Sequence, residues 1–425
     1  MTTADPSANL AYVPDKLIGG VRDLNMSRLL ELLWGLQEAT RSELQARSGL
    51  SKATVAAIVT DLLDAGLVRA VGKRQGGVGR SSALLEVAPM ARSVIGVQVG
   101  DDQCDAVLTD LRGRPYTQVS RPLHATDPDG VIEVLIDCIG DVVANATSPV
   151  MGVGLGVPGY VDTSGRISVA ISHGWRDVPI ADRVAEATGL PSAAANRAKV
   201  SALGLAAQRS RDNHDFIYIF LGSGIAAGIV SDGRLCVGRN GAAGDIGHLT
   251  VDPDGALCGC GNRGCLHTVA AQDAVLSLAR ANAREDNSSL LYEASGGQLS
   301  LLSVPMIAVA AERGDRAASA TLDTVATTLG IVIANLLNTL NPHSVVLGGP
   351  LAELGDELLQ RIRAEVQRRA LGETYAGLEL SLTSTDLGAV GAAGFWLSRH
   401  VTDSSLTLLL EPAPRVSVLA PTLHR

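Results

Sequence analysis

Three cysteines and one histidine are clustered in the middle of the 425-residue chain. His248 is followed, after nine intervening residues, by the run Cys258-Gly259-Cys260-Gly261-Asn262-Arg263-Gly264-Cys265. One imidazole and three thiolates make a complete tetrahedral set for Zn²⁺ with no open position, which is typical of structural rather than catalytic sites. The glycines let the chain turn back so that three sulfurs converge on one ion. The sequence therefore predicts a structural zinc site at His248, Cys258, Cys260 and Cys265, and three free cysteines beside a loop histidine are the less favoured alternative.

The other three cysteines, Cys104, Cys138 and Cys236, stand alone in the sequence, and we expect them to be small core residues. Six cysteines arranged in this way do not make a disulfide framework and indicate a reduced compartment. Met1–Pro14 lacks the basic start and apolar run of a secretory signal, and the apolar stretch Leu329–Leu337 is too short to span a membrane. These patterns predict a cytoplasmic protein with no membrane partner.

The first ninety residues predict a tail followed by a winged helix-turn-helix. Residues 1–20 have no periodicity and are expected to form a loose tail, and residues 21–90 are expected to form the domain. Thr40, with Glu43 as capping-box partner, starts a short helix over Arg41–Arg47, and Ser51 caps a second helix that runs to about Asp64. Two strands joined by a basic, glycine-rich tip follow, and they complete the wing.

Charge supports a nucleic-acid role for this domain, although the whole chain carries a net charge of −9. Residues 41–80 hold seven basic and three acidic side chains, a local excess of +4. The second helix of such a motif enters the major groove, so its start needs polar and small side chains, and basic residues hold phosphates. We expect DNA contacts from Arg41, Ser51, Lys52, Ala53, Thr54, Lys73, Arg74 and Arg80. The alternative is a solvated charged face or a protein-binding module.

From about residue 91 to residue 400, predicted strands alternate with helices. Val94–Val99, Met151–Val157 and Phe216–Phe220 are typical of buried strands, and Asp315–Leu340 of a long helix. This alternation predicts an α/β architecture of two lobes that meet near residue 200, and we expect a C-terminal helix to return to the first lobe. Residues 401–425 form an extension with three prolines, to which the pattern assigns no role.

In this order and spacing, the motifs resemble the ROK family of repressors, open reading frames and sugar kinases, and specifically its repressor branch. The resemblance covers about residues 20–400 and rests on Arg22-Asp23-Leu24-Asn25, Gly49-Leu50-Ser51-Lys52-Ala53-Thr54-Val55, Gly79-Arg80, Ala243-Gly244-Asp245-Ile246-Gly247-His248 and the cysteine run. It implies a winged helix-turn-helix followed by a two-lobed, actin-like ATPase fold, in a homodimer or homotetramer. It also implies a double-stranded DNA operator and a sugar or sugar-phosphate effector.

The motifs of the kinase members are altered in this chain. Their first phosphate loop starts with a metal-side Asp, where this sequence has Gln98, and Asp101 and Asp102 stand where the phosphate would approach. Their catalytic Asp is replaced by Arg197, whose guanidinium stays protonated and cannot act as a base. The second loop, Gly222–Gly228, is nearer the kinase pattern. We therefore expect no phosphotransfer and no bound ATP.

The effector pocket implied by the resemblance also differs from the family pattern. The positions that bind sugar hydroxyls carry Asn196, Arg197, Asp245 and His267 here. Arg197 and His267 are expected to make the pocket more positive, which favours an anionic effector such as a sugar phosphate or sugar acid. A pocket that has drifted and binds nothing is an equally weighted alternative.

Three functional hypotheses follow from these observations. The first is a nucleoid-associated transcriptional regulator, most simply a repressor, of carbohydrate-related or secondary-metabolism genes. The second is a regulator that has no small-molecule effector and is constitutive or controlled by a protein partner. The third, a sugar kinase, is disfavoured by Arg197 and the altered first loop.

Overall fold

The computed structural model describes residues 20–76, 80–209, 215–286 and 288–402. The expected tail, the wing tip at 77–79 and the C-terminal extension beyond 402 lie outside the described residues. The chain divides into two compact units. The described residues up to Arg92, together with those from Leu397 onward, form the first unit, and Ser93–Trp396 forms the second.

The first unit contains three helices and a small sheet. Its elements are α1 (Val21–Leu36), β1 (Ala39–Thr40), α2 (Arg41–Ser48), α3 (Lys52–Asp64), β2 (Val68–Gly76) and β3 (Arg80–Val87). The antiparallel strands β2 and β3 form the wing, and the two-residue strand β1 adds to β3. The inner face of α3 is buried, as its apolar spacing predicts, through Val55, Ile58, Val59 and Leu62.

The first lobe of the second unit is built on a five-stranded mixed sheet in the order β11-β7-β4-β5-β6. Its elements are β4 (Ser93–Val99), β5 (Gln103–Asp110), β6 (Pro115–Pro122), α4 (Pro128–Val143), β7 (Val150–Val157), β8 (Tyr160–Val161), β9 (Ile167–Ala170), β10 (Trp175–Val178), α5 (Ile180–Thr188) and β11 (Ser192–Asn196). Strands β4, β7 and β11 run parallel, and every residue of β4 and β7 is buried, as expected for central strands covered on both faces.

The second lobe has its own five-stranded sheet, in the order β14-β13-β12-β15-β16. Its elements are α6 (Arg197–Gln208), β12 (Phe216–Leu221), β13 (Ile225–Ser231), β14 (Arg234–Leu235), α7 (His267–Ala270), α8 (Gln272–Glu285), α9 (Leu290–Ala294), α10 (Val304–Glu312), α11 (Arg316–Leu340), β15 (Ser344–Gly348), α12 (Gly355–Arg369), α13 (Gly372–Tyr375) and β16 (Glu379–Leu382). The helix that follows them, α14 (Gly388–Leu397), returns to the first sheet. The predicted α/β alternation is therefore present through both lobes.

Helix α11 is long and apolar enough, by length and composition alone, to cross a membrane. However, 61% of its most apolar 18-residue window is buried inside the protein, where Leu322, Leu329 and Ile333 contribute to the core of the second lobe. The apolar composition of α11 is therefore explained by its packing in the core of the second lobe.

Two helices, α14 and α6, connect the lobes. Helix α14 lies so close to the first sheet that a Cβ added to Gly96 would fall 1.8 Å from the Ala389 carbonyl oxygen. Helix α6 begins directly after β11 of the first sheet and packs against β13 of the second, where Gly228 leaves room for Ala198 and Ala202. The residues at the start of α6 consequently lie at the junction of the two lobes.

Candidate functional site

The start of helix α3 is held in place by two capped helix ends. The Thr40 hydroxyl accepts a hydrogen bond from the Glu43 N–H, and the Glu43 carboxylate accepts one from the Thr40 N–H at 2.8 Å, which confirms the predicted capping box. Helix α2 ends at Gly49, whose φ of +70° is the left-handed conformation that glycine adopts without strain. Ser51 then caps α3 by accepting from the Thr54 N–H at 3.1 Å.

The residues predicted to contact DNA differ in their exposure to solvent and in their contacts with other side chains. Arg41, Ser51, Lys52, Ala53 and Lys73 are exposed, and Thr54 is half-buried with its hydroxyl 2.8 Å from that of Ser51. Arg74 is exposed but forms an ion pair with Glu43, which links the wing to helix α2. The side chain of Arg80 lies outside the described part of the structure.

The predicted zinc ligands converge on one point. The ligand atoms of His248, Cys258, Cys260 and Cys265 all lie within 4.8 Å of one another. The Cys260 and Cys265 sulfurs are 3.7 Å apart, as are the Cys258 sulfur and His248 Nδ1. A tetrahedron with Zn–S bonds of about 2.3 Å has sulfur–sulfur edges of about 3.8 Å, so this spacing fits the ion.

The backbone supports this donor set independently of any ion. Cys258 N–H donates to the Asn262 carbonyl at 2.7 Å, and Gly261 N–H donates to the Cys258 carbonyl at 2.9 Å. At Gly264 the φ is +60°, and a Cβ would fall 1.4 Å from the Asp252 carbonyl oxygen, so only glycine fits there. Burial lowers the pKa of His248, and its neighbour His267 lowers it further. A neutral imidazole is the form that binds a metal.

The remaining cysteines only partly follow the expectation of core residues. Cys104 and Cys138 are buried in the first lobe, but Cys236 is exposed. The expectation for Cys236 was wrong because this residue follows β14, the two-residue strand at the edge of the second sheet, rather than lying within a buried strand.

A cavity of about 230 Å³ lies at the lobe junction and brings together all four predicted effector residues. Asn196, Arg197, Asp245 and His267 line it together with the metal ligands His248 and Cys260. Residues that the sequence did not single out complete the wall, among them Tyr160, Ile171, Ser172 and Phe220. The zinc cluster and the cavity are thus adjacent.

Asn196 forms hydrogen bonds with the backbone around the cavity, whereas Asp245 places a carboxyl group on the cavity wall. The Asn196 side chain caps α6 by accepting from the Ala198 N–H and donates to the Gly159 carbonyl, both at 2.8 Å, so it fixes the backbone around the cavity. Burial raises the pKa of the Asp245 carboxyl to about 6, and the Lys199 ammonium partly opposes this effect. Lys199 itself is buried and donates to the Gly241 carbonyl.

Arg197 is engaged in a polar network that joins the two lobes. Its guanidinium donates to the Asp101 carboxylate at 2.8 Å and to the Ser223 hydroxyl at 2.7 Å, and it lies 4.0 Å from the centre of the Phe220 ring. The Ser223 hydroxyl donates in turn to Asp101 at 2.7 Å. Burial alone would raise the pKa of Asp101, but Arg197 and Ser223 outweigh it and hold the pKa below its usual value.

This network corrects the expectation of a positive pocket. The charge of Arg197 is balanced by Asp101, an acid on the loop after β4 that does not line the cavity. Burial lowers the pKa of His267, only partly opposed by Asp273, so its imidazole is neutral at neutral pH. Neither residue therefore adds net positive charge, and the physical basis for preferring an anionic effector is lost.

Gln98, at the position of the metal-side Asp in kinases, also has a structural partner. It is buried, and its amide donates to the Asp386 carboxylate at 2.6 Å. Asp386 accepts a hydrogen bond from the Gly388 N–H at the start of α14, so the amide fastens that helix to the first sheet.

Sequence reasoning did not anticipate the pairing of Asp101 with Arg197. Both positions stood out separately as departures from the kinase pattern, and the fold brings the loop after β4 and the start of α6 together at the lobe junction. A carboxylate and a guanidinium that both depart from the family pattern, at two positions that the fold brings together, are the signal that would have indicated an ion pair.

The comparisons with known proteins agree with this geometry. The model of the ROK family matches residues 94–399. The xylose repressor of Bacillus subtilis is 30% identical over 85% of this chain and 92% of its own length, and the glucokinase of Halalkalibacterium halodurans is 34% identical over 74% and 97%.

Solved structures show the same fold. A ROK family transcriptional regulator, homologous to the Escherichia coli MLC protein, has a TM-score of 0.77 with 24% identity, and the match covers 92% of this chain and all of that one. The ROK glucokinase of Streptomyces griseus, solved with glucose and AMPPNP, has a TM-score of 0.62 with 29% identity over 71% of this chain and 98% of its own. The predicted α/β fold with two actin-like lobes is thereby confirmed, and the chain belongs to the ROK family.

Proposed function

We propose that this protein is a transcriptional repressor that binds operator DNA through its first unit and a sugar through its second. The observation that carries the proposal is the presence, in one chain, of a capped helix-turn-helix and a ROK body whose general-base position holds Arg197. Relatives of similar length named as repressors, such as the xylose repressor, support the same conclusion.

The DNA-binding surface consists of the exposed start of α3 and the exposed basic residues around it. Lys52 and Ala53 face solvent at the first turn of α3. A helix in the major groove presents small side chains such as Ala53 to base edges there, and Lys52 adds a charge for the neighbouring phosphates. Arg41 and Lys73 add exposed positive charge for phosphates, whereas Arg74 shares its charge with Glu43. Arg80 keeps its proposed role at the base of the wing tip.

The ROK body acts as a sensor rather than as an enzyme. Arg197 is protonated and fully engaged, so it cannot remove a proton from a sugar hydroxyl. Asp101 occupies the loop where a triphosphate would approach, and like charges disfavour such a ligand. We propose that the body binds neither ATP nor its metal.

The cavity is suited to one small uncharged polyol. Asp245 offers carboxylate oxygens as acceptors for hydroxyl groups, and neutral His267 offers one further donor or acceptor. The volume of about 230 Å³ is below the usual range for drug-sized ligands. A neutral sugar therefore fits better than the sugar phosphate or sugar acid that the sequence favoured.

Zn²⁺ is the proposed ion at His248, Cys258, Cys260 and Cys265, with a structural role. The four donors leave no open position, so the ion holds the loop that follows Asp245 and does no chemistry.

Assembly as a homodimer or homotetramer, in the cytoplasm and at the nucleoid, completes the proposal, because paired recognition helices match the symmetry of operator DNA. Carbohydrate-related or secondary-metabolism genes are the proposed targets.

A gel-shift titration of the full zinc-loaded chain against its own upstream region, with unrelated DNA as competitor, tests the proposal. We expect a specific complex that a neutral sugar weakens. Genome-wide capture of the tagged protein then identifies the operators. If no chromosomal fragment is preferred over unrelated DNA, the repressor function is wrong. If the complex forms but no sugar alters it, the regulator lacks a small-molecule effector and is constitutive or controlled by a protein partner.

A further inference from the structure

We propose that Asp101, a residue outside the cavity wall, determines which charge the effector cavity accepts. It does so by neutralising Arg197, so that uncharged sugars enter and anions are excluded. The inference rests on the proposed sugar-binding role of the cavity and assigns a specificity-determining residue to it.

The first step is that Arg197 cannot leave the cavity wall. Its side chain is only 4% exposed, and it is held by the Ser223 hydroxyl at 2.7 Å and by the Phe220 ring at 4.0 Å as well as by Asp101. Loss of the Asp101 charge alone would leave two of these three contacts. The guanidinium would then stay on the wall as an unbalanced cation.

The second step is that no other described group on the wall can replace Asp101 as the counter-charge. Asp245 is the carboxylate among the described residues that line the cavity, and it interacts with the buried ammonium of Lys199. Asp386, outside the wall, lies near Arg197, but its hydrogen bond goes to the Gln98 amide. His173, close to the network, has a pKa lowered by burial and by Arg197, so it is not a source of negative charge that could replace Asp101. Loss of the negative charge of Asp101 therefore directly changes the electrostatic interaction of Arg197 with a neighbouring ligand.

The third step concerns energetics. A guanidinium that donates charge-assisted hydrogen bonds to a half-buried carboxylate is not available to a second anion, and the carboxylate repels that anion. Substituting an amide for the carboxylate removes both effects while keeping an oxygen that can accept from Arg197 and Ser223. A hydrogen bond to a charged group contributes about tenfold to a hundredfold in affinity, which sets the scale of the expected change.

The test compares wild type with Asp101→Asn by calorimetry at pH 7.5 and constant ionic strength, on the full zinc-loaded chain. The probes are glucose, glucuronate and inorganic phosphate, because glucose and glucuronate differ by one carboxylate. Asp102→Asn is the matched control, since Asp102 is the neighbouring residue, carries the same charge and is exposed. Zinc content and circular dichroism verify that each variant is folded, and Asp101→Ser replaces Asp101→Asn if the amide disturbs the fold.

We expect Asp101→Asn to bind glucuronate and phosphate at least about tenfold more tightly than wild type does. Asp102→Asn should behave as wild type, and adding Arg197→Gln to Asp101→Asn should abolish the gain. Equal anion affinity in wild type and in folded Asp101→Asn would overturn the inference, even if wild type binds glucose. A gain of phosphate binding in Asp101→Asn, with no sugar bound by wild type, would uphold the role of Asp101 and reject the sugar effector.

Discussion

Arg197 and Asp101 illustrate how a buried charge depends on an opposite charge nearby. A guanidinium with 4% exposure at the junction of two lobes would be strongly destabilising without a partner, and the acid on the loop after β4 supplies the opposite charge. Ser223 completes the hydrogen bonding of both groups. The sequence revealed each residue as a departure from the kinase pattern, but the pairing depends on a contact between residues almost a hundred positions apart.

The first prediction is that Arg197→Met destabilises the fold by about 3 kcal/mol at pH 7.5, because the half-buried, ionised Asp101 keeps its hydrogen bond from Ser223 but loses the guanidinium that balances its charge. In wild type the pKa of Asp101 is lowered, so its stabilising contribution is present above its unfolded pKa and is lost as pH falls through the lower folded value. In the variant, burial favours the protonated acid instead. The difference in stability between the two proteins should therefore shrink as the pH is lowered towards 5.

Urea denaturation of the full chain, followed by tryptophan fluorescence at both pH values, measures this difference. Arg183→Met is the control, because its ion pair with Asp129 is exposed and should contribute at most about 1 kcal/mol. A loss in Arg197→Met that is as small as the control, or that is independent of pH, would contradict the prediction.

At the scale of elements, local sequence patterns predicted most of the helices and strands. They did not predict strands that are defined by pairing with residues distant in the sequence. The capping box at Thr40 and Glu43 fixed the start of α2, and continuous apolar runs located β4, β7 and β12. The sequence did not reveal β6, whose residues are mostly exposed or half-buried, because an edge strand lacks an apolar run. The two-residue strand β1 is also defined only by its pairing with the wing.

The second prediction concerns the recognition helix. Lys52→Ala should weaken operator binding and reduce the slope of log affinity against log salt concentration by about one, because one phosphate contact is lost. Fluorescence anisotropy over a salt series measures both quantities. Arg313→Ala removes an equally exposed cation from the other unit and should leave the slope unchanged. Equal slopes in wild type and Lys52→Ala would remove α3 from the proposed interface.

The third prediction concerns the metal loop. Cys260→Ser should lower the zinc content well below one ion per chain and make the residual zinc easier to chelate, because it removes one of four ligands. It should also weaken the sugar response of operator binding, since Cys260 lines the cavity. Elemental analysis of the purified protein and gel shifts measure these effects.

Cys236→Ser provides the comparison for this experiment, because Cys236 is exposed and lies outside the cluster. It should retain one zinc ion per chain and a normal sugar response. Full zinc content in Cys260→Ser would show that the four residues are not the ligand set.

At the scale of the whole molecule, the three residues that depart from the kinase pattern all have partners within the two-lobed fold. Gln98 fastens α14 through its hydrogen bond to Asp386, and Arg197 pairs with Asp101. Each altered residue has acquired a structural partner. The two-lobed body is thus retained as a scaffold for a cavity.

The last prediction is that restoring the catalytic acid does not restore catalysis. Arg197→Asp would place a second carboxylate beside Asp101, where two like charges at close range raise a pKa and repel nucleotide. Gln98 would still offer no carboxylate to a metal. In a coupled assay of ATP consumption over a panel of neutral sugars, both wild type and Arg197→Asp should stay at the blank rate, with a glucokinase as positive control. Sugar-dependent ADP formation by the wild-type chain would instead show that the body is a kinase, because turnover requires a base and a phosphate site that the proposed sensor lacks.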